Sequence, residues 1–197
     1  MEKVQRHYAA YIAKGGDGMT VLRERGRDLG YTTEQDDPLF SAFCGSGCPL
    51  TLGDGVQVGE TVVDFGCGAG HDVILASRRV GPSGRVFGID VTAEMIQAAQ
   101  DNATKYHHAS TDGKIEFLVA RIDNLQNMPL PPETANVVIS NGVINLCRDK
   151  KAAFGVAFQM LKPGGRFLFS DVCRAPDRKP SDKSCITAGD SSDAWSA

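Results

Sequence analysis

"VVDFGCGAGHDVILASRRVGPSGRVFGID", residues 62–90, decides the fold. An apolar run leads into glycines at 66, 68 and 70, a helix-length segment follows to about Val80, and a second apolar run closes on Asp90. Strand, glycine turn, helix and strand in about thirty residues make a βαβ unit, and its right-handed crossover sets the two strands parallel. Glycine lets the backbone turn sharply off the first strand and come close to a ligand. Open sheets of this kind bind ligands beyond the carboxyl ends of their strands, so the loop and the helix start after it mark a site.

The alternation continues on both sides of this unit. "TVVDF" (61–65), "RVFGID" (85–90), "KIEFLVA" (114–120), "ANVVISN" (135–141) and "GRFLFSDV" (165–172) read as five strands. "TAEMIQAAQDNATKY" (92–106) reads as a helix with Thr92 as its N-cap and Glu94 in its first turn. A later helix runs to about Leu161, where "KPGG" supplies a stop. Strands alternating with helices predict an α/β fold: a doubly wound, mainly parallel sheet whose apolar strands are covered by helices on both faces. Residues 1–60 read as an N-terminal helix, with Val4, Tyr8, Tyr11 and Ile12 at helical spacing, and a covering segment rich in Gly, Pro, Asp and Thr. Residues 61–172 form the core, and 173–197 a polar, turn-rich tail.

Composition narrows the function. The 197 residues are 42% hydrophobic and 23% charged with a formal net charge of -3, which gives no electrostatic reason to expect nucleic acid or a membrane surface. "MEKVQRHYAAYIAKGG" carries no apolar stretch of the secretory kind. Six cysteines are scattered through a domain-sized pattern, which predicts reduced thiols in a cytoplasmic protein and not a disulfide framework.

Two carboxylates make the glycine loop more specific. Asp90 falls about twenty residues after Gly70, placed to accept from a ribose diol. A dinucleotide would use such an acid too, but the spacing here is G-x-G-x-G, and Asp64 lies in the approach to the loop. A carboxylate there repels a pyrophosphate and suits a cation. No G-x-x-x-x-G-K-[ST] loop is present. A ligand with adenine, ribose and a cationic end fits S-adenosylmethionine.

"VVDFGCGAG", "GIDVTAEMI" and "LKPGG" together resemble the signature stations of class I S-adenosylmethionine-dependent methyltransferases, whose fold is Rossmann-like. Further stretches narrow the likeness: "VGPSGRVFGIDVTAEMIQAAQDNA", "RIDNLQNMPLP", "SNGVINLCRDKKAAFGVAFQMLKPGGRFLFSDV", the upstream "CGSGCPL" and the early "VQRHYAAYI" are similar to arsenite methyltransferases. The resemblance implies that Asp64, Gly66, Cys67, Gly68, Gly70, Asp72, Asp90, Val91, Met95, Ile122, Asp123 and Asn141 hold the cofactor. It implies that Ile122 and Asp123 flank adenine, that Met95 faces it, and that Asn141 sits beside the methyl-transfer site.

Trivalent arsenic is soft and prefers thiolates. The likeness therefore implies catalytic thiols among Cys44, Cys48, Cys147 and Cys185, with Cys44 and Cys48 as the arsenic(III) ligands, and a thiol reductant such as glutathione or thioredoxin as partner. Other readings of the same residues stand beside these. Asp64 and Asp90 are also suited to capping turns, Asp72 to a helix dipole, Met95 and Cys67 to packing, and His107 and His108 to solvent.

The sequence also departs from the family. Gly142 stands where a cysteine commonly follows "SN", and the tail leaves little room for the last strands of the family's seven-stranded sheet. The first departure favours a small organic methyl acceptor. The second favours a module that binds S-adenosylmethionine or arsenite without turnover.

Overall fold

The computed structural model describes residues 46–173 together with Arg6 and Tyr31. The expected N-terminal helix and the expected polar tail beyond Cys173 lie outside the described residues, as do Cys44 and Cys185.

Along residues 61–170 five strands and three α-helices alternate: β1 (Thr61–Phe65), α1 (His71–Val80), β2 (Arg85–Asp90), α2 (Ala93–Tyr106), β3 (Lys114–Val119), β4 (Ala135–Asn141), α3 (Lys150–Met160) and β5 (Leu161–Ser170). The sheet order is β3-β2-β1-β4-β5, and every neighbouring pair is parallel. The chain first winds outward through β2 and β3, then returns to the other side of β1 with β4. The carboxyl ends of β1 and β4 thus flank the switch point, where an open α/β sheet makes its crevice.

Period-two alternation divides the core. Val62, Val137 and Ile139 pack on one face with Val73, Ala76, Val80 and Ile96 of α1 and α2. Val63, Phe65 and Val138 pack on the other with Ala153, Val156, Ala157 and Met160 of α3. Phe65 and Ile139 are fully buried, each burial worth about 1.5–3 kcal/mol. Slipping β1 by one residue would swap these two apolar sets between faces, so the hydrophobic pattern fixes its register. No helix among the described residues is long and apolar enough to cross a membrane.

Some boundaries differ from the sequence reading. β3 ends at Val119, and α2 begins at Ala93 with Thr92 at its N-cap but no side-chain capping bond. β5 begins at Leu161, directly after α3, and ends at Ser170. "KPGG" is therefore not a loop between helix and strand. Ala135 pairs with Leu161 and Val137 with Arg166, so Lys162–Gly165 bulge out between the two pairs. Pro163 has no N–H to give a ladder, and Gly164 takes φ +79°, both suited to a bulge.

Among the described residues the strands are not all covered on both faces, either: β5 has one strand neighbour there, and Phe169, like Phe154 of α3 beside it, is 41% exposed. His107 is half-buried, its Nε2 lying 2.9 Å from the Gly113 carbonyl oxygen, whereas His108 is exposed.

Candidate functional site

At the carboxyl ends of β1, β2 and β4 lies a cleft of about 750 Å³, counting its open mouth. Gly66, Gly68, Asp90, Val91, Met95, Ile122, Asp123 and Asn141, all expected there, line it. So do Thr92, Ala120, Arg121, Gly142, Val143, Leu146 and Cys147.

Backbone geometry builds the glycine wall. The amides of Gly66 and Cys67 both donate to the carbonyl of Ile89, at 2.8 and 2.9 Å, which folds the loop back over the end of β2. Gly66 takes φ +73°, and a Cβ there would lie 2.4 Å from a Val143 methyl, so this position admits no side chain. A Cβ on Gly68 would meet nothing within 4 Å, which leaves open space on that side of the loop.

Asp90 ties the loop to the next helix. Its Oδ2 accepts from the Gly68 amide at 3.0 Å and its Oδ1 from the Thr92 amide at 2.8 Å. Burial pushes this carboxyl above the usual carboxylate range, and the two backbone donors pull it part of the way back. On the far side, Arg121 grips both oxygens of Asp123 at 3.0 and 2.8 Å. Val91, Met95, Ile122, Val143 and Leu146 supply apolar wall between these two carboxylates.

Four of the expected cofactor residues, Asp64, Cys67, Gly70 and Asp72, do not line this cleft. Asp64 is 2% exposed, and burial, then Asp72 and Asp90, push its carboxyl well above the usual range. Cys67 packs its sulfur 3.0 Å from where a Cβ of Gly88 would stand, and burial pushes its thiol well up. Gly70 packs against Ala99 of α2. Asp72 is engaged elsewhere: Tyr31 Oη donates to its Oδ1 at 2.7 Å, and Asn141 Nδ2 to its Oδ2 at 2.9 Å.

The described thiols do not converge. Cys48 packs with Tyr31 and Leu50 on the α1 face of the sheet, and Cys147 with Ile122 and Met160 on the α3 face. Burial and the nearby Asp72 push the Cys48 thiol up, and burial pushes that of Cys147 up to about 11. Cys173 is exposed, and Cys48, Cys67, Cys147 and Cys173 are all unpaired thiols. Among the described residues no group of three His, Cys, Asp or Glu is placed to hold a metal ion.

An apolar slot with a carboxylate near each end, and a glycine loop whose approach carries a third acid, suits an adenosyl group with a cationic tail. A pyrophosphate would meet Asp90 at the glycine loop, and the cation among the described lining residues, Arg121, is paired with Asp123.

Residues 57–192 match the family model described as "Methyltransferase domain". The chain belongs to that family. This methyltransferase domain is 35% identical to the arsenite methyltransferase of Halobacterium salinarum over 94% of its own length and 51% of the relative's. It is 40% identical to that of Aquipseudomonas alcaligenes over 66% of its own length and 36% of the relative's. The domain thus spans about half or less of these curated relatives. Among solved structures it resembles CrArsM, an arsenic (III) S-adenosylmethionine methyltransferase from Chlamydomonas reinhardtii, with a TM-score of 0.66 and 26% identity over 89% of this chain and 56% of that one.

Several lining residues escaped the sequence reading. Arg121 stood beside the expected Ile122–Asp123 pair, and its two-residue spacing to Asp123 in the loop after β3 was a usable signal. Val143 and Leu146 lay in the loop after β4, at the carboxyl edge where such sites form. Tyr31 gave no signal, because its bond to Asp72 spans 41 positions of sequence.

Proposed function

We propose that this chain transfers the methyl group of S-adenosylmethionine to trivalent arsenic held by cysteine thiolates. The likeness to an arsenite methyltransferase across 94% of the chain carries this reading, and the cleft geometry is consistent with it. Asp90 accepts from the ribose, Asp123 from the exocyclic amine of adenine, and Met95 and Ile122 cover the ring. Asp64, set behind the glycine loop, supplies negative potential toward the cationic end.

The cofactor brings an electrophilic methyl group on a sulfonium. The arsenic lone pair forms the new As–C bond, and the C–S bonding pair returns to sulfur, leaving the neutral thioether S-adenosylhomocysteine. Arsenic is formally oxidised by two electrons, which a thiol reductant such as glutathione or thioredoxin returns. The protein's part is positioning, worth several powers of ten when donor and acceptor stand at attack distance. No base is needed, because the lone pair carries no proton.

A second reading keeps the cofactor and changes the acceptor to a small organic molecule. Gly142 favours it. This residue replaces the family's cysteine and takes φ +68°, a conformation that a cysteine adopts only at a cost of about 1–2 kcal/mol. Incubation of the purified chain with S-adenosylmethionine, arsenite and glutathione tests the main reading. Methylated arsenicals in the product support it. Tight S-adenosylhomocysteine binding with no methylated arsenical would remove it and leave the organic acceptor or a binding module without turnover.

A further inference from the structure

Asn141 ends β4 and points to the α1 face, the face of Val137 and Ile139. Its carboxamide is fully used. Oδ1 accepts from the Ser46 amide at 2.7 Å and the Gly47 amide at 3.2 Å. Nδ2 lies 2.6 Å from the Gly47 carbonyl, 2.7 Å from Tyr31 Oη and 2.9 Å from Asp72 Oδ2. Tyr31 Oη is within 2.9 Å of the same Gly47 carbonyl and donates to Asp72 Oδ1 at 2.7 Å. One side of the amide therefore grips the loop before Cys48, and the other grips a buried carboxylate at the start of α1.

The amide cannot be reversed without setting its NH2 against two backbone N–H groups. An aspartate there would lose both donors and bring a second carboxylate onto Asp72. Tyrosine at 31 is fixed by equally specific demands: it is 3% exposed, and its ring meets that of His71 edge-on with centroids 5.0 Å apart.

The loop held this way carries a thiol that the proposed chemistry needs outside. Cys48 is 5% exposed, packed with Leu50 beneath the loop. At 5% exposure the Cys48 residue offers a soft metalloid little surface in this arrangement of the loop. Asn141 itself stands in the cleft wall next to Gly142, so the same residue borders the cofactor site and fastens the acceptor loop.

We propose that Asn141 is a positioning residue, not a cofactor ligand: with Tyr31 and Asp72 it latches the Ser46–Cys48 loop to the rim of the sheet and governs when Cys48 can meet a thiophilic acceptor. The acceptor role of Cys48 rests on the function proposed above. The latch itself is read without arsenic or cofactor.

Peptide-resolved alkylation by N-ethylmaleimide of the full chain tests it, with buried Cys67 and Cys147 as internal references. Asn141→Asp and Tyr31→Phe should each raise the Cys48 rate by about ten-fold or more, the effect of losing one or two buried hydrogen bonds. The Cys67 and Cys147 rates should stay within about two-fold. A purely structural role would instead accelerate all three thiols together.

Unchanged Cys48 reactivity in both variants, or equal acceleration of all three cysteines, overturns the latch. Hydrogen exchange in the unmutated chain gives a reading that needs no variant. The Ser46 and Gly47 amides should be protected at least about a hundred-fold, and exchange at the open-chain rate overturns the proposal. A chain whose alkylation follows these expectations but which binds no arsenite keeps the latch and loses the metalloid reading.

Discussion

Arg121 holds Asp123 as a two-pronged ion pair, Nε to Oδ1 at 3.0 Å and Nη2 to Oδ2 at 2.8 Å, with the Asp123 side chain 3% exposed and that of Arg121 37% exposed. A guanidinium fork fixes the plane of a carboxylate, which a lysine point charge would not do. Asp123 thus faces the cleft with its orientation set before any ligand arrives. Asp123→Asn should weaken S-adenosylhomocysteine by about ten-fold, within the range for a hydrogen bond to a charged group. Arg121→Gln should weaken it by about three- to ten-fold and also narrow the preference for adenosyl over inosyl ligand, because the acceptor loses its fixed plane. Calorimetric titration with both ligands measures this. An unchanged ratio of the two affinities in Arg121→Gln would contradict the orienting role.

Asp64 couples cofactor binding to pH. Its folded-state carboxyl lies well above the usual range, because it is buried and shares its surroundings with Asp72 and Asp90. The folded state therefore binds more protons than the unfolded one. Its contribution to stability is complete below the unfolded value of about 3.8–3.9 and is lost as pH rises through the raised folded value. A cationic ligand favours the ionised form and so expels a proton. Titrating S-adenosylmethionine in buffers of different ionisation enthalpy should reveal proton release between the ordinary carboxylate range and the raised folded value, and Asp64→Asn should reduce it. Above the raised folded value, where the buried carboxylate is charged, the same variant should raise the melting temperature of the ligand-free chain. It should also bind the cofactor more weakly.

Gly66 and Val143 make a steric contact that admits no third atom. A Cβ at residue 66 would stand 2.4 Å from Cγ1 and 2.5 Å from Cγ2 of Val143, and φ is +73°. Gly66→Ala should cost about 2–3 kcal/mol, combining backbone strain with overpacking. Adding Val143→Ala removes both clashing methyls and should recover part of that loss, seen as a coupling energy in a denaturant double-mutant cycle. Strict additivity of the two substitutions would show that the contact does not set the loop.

What was legible in the sequence follows from range. The β1–α1–β2 unit was readable because its pattern is local: an apolar run, a turn that demands glycine and an acid at the end of the next strand lie within residues 62–90. The start of β5 was not, because the Lys162–Gly165 bulge exists only through pairing with β4, whose partner residues are Ala135 and Val137. Asp72 illustrates the same limit within the site. Its place just inside α1 was plain, but its partners, Tyr31 and Asn141, come from 41 and 69 positions away. Side chains whose roles depend on such closures carry no periodicity of their own.

Cys48 and Cys147 should separate by function because the sheet lies between their packing clusters. Cys147 lines the cleft within the cluster of Ile122 and Met160, and its thiol, pushed up to about 11, is protonated at neutral pH. Cys147→Ala should lower stability by about 1–2 kcal/mol, the loss of a small buried hydrophobe, and leave affinity for phenylarsine oxide within about two-fold. Cys48→Ser should weaken that affinity by about ten-fold or more, because a hydroxyl is a poor ligand for soft arsenic. Quenching or calorimetry with the arsenical measures both. Equal losses from the two substitutions would mean that both thiols contribute to one arsenic site, and would contradict the separation that their packing clusters imply.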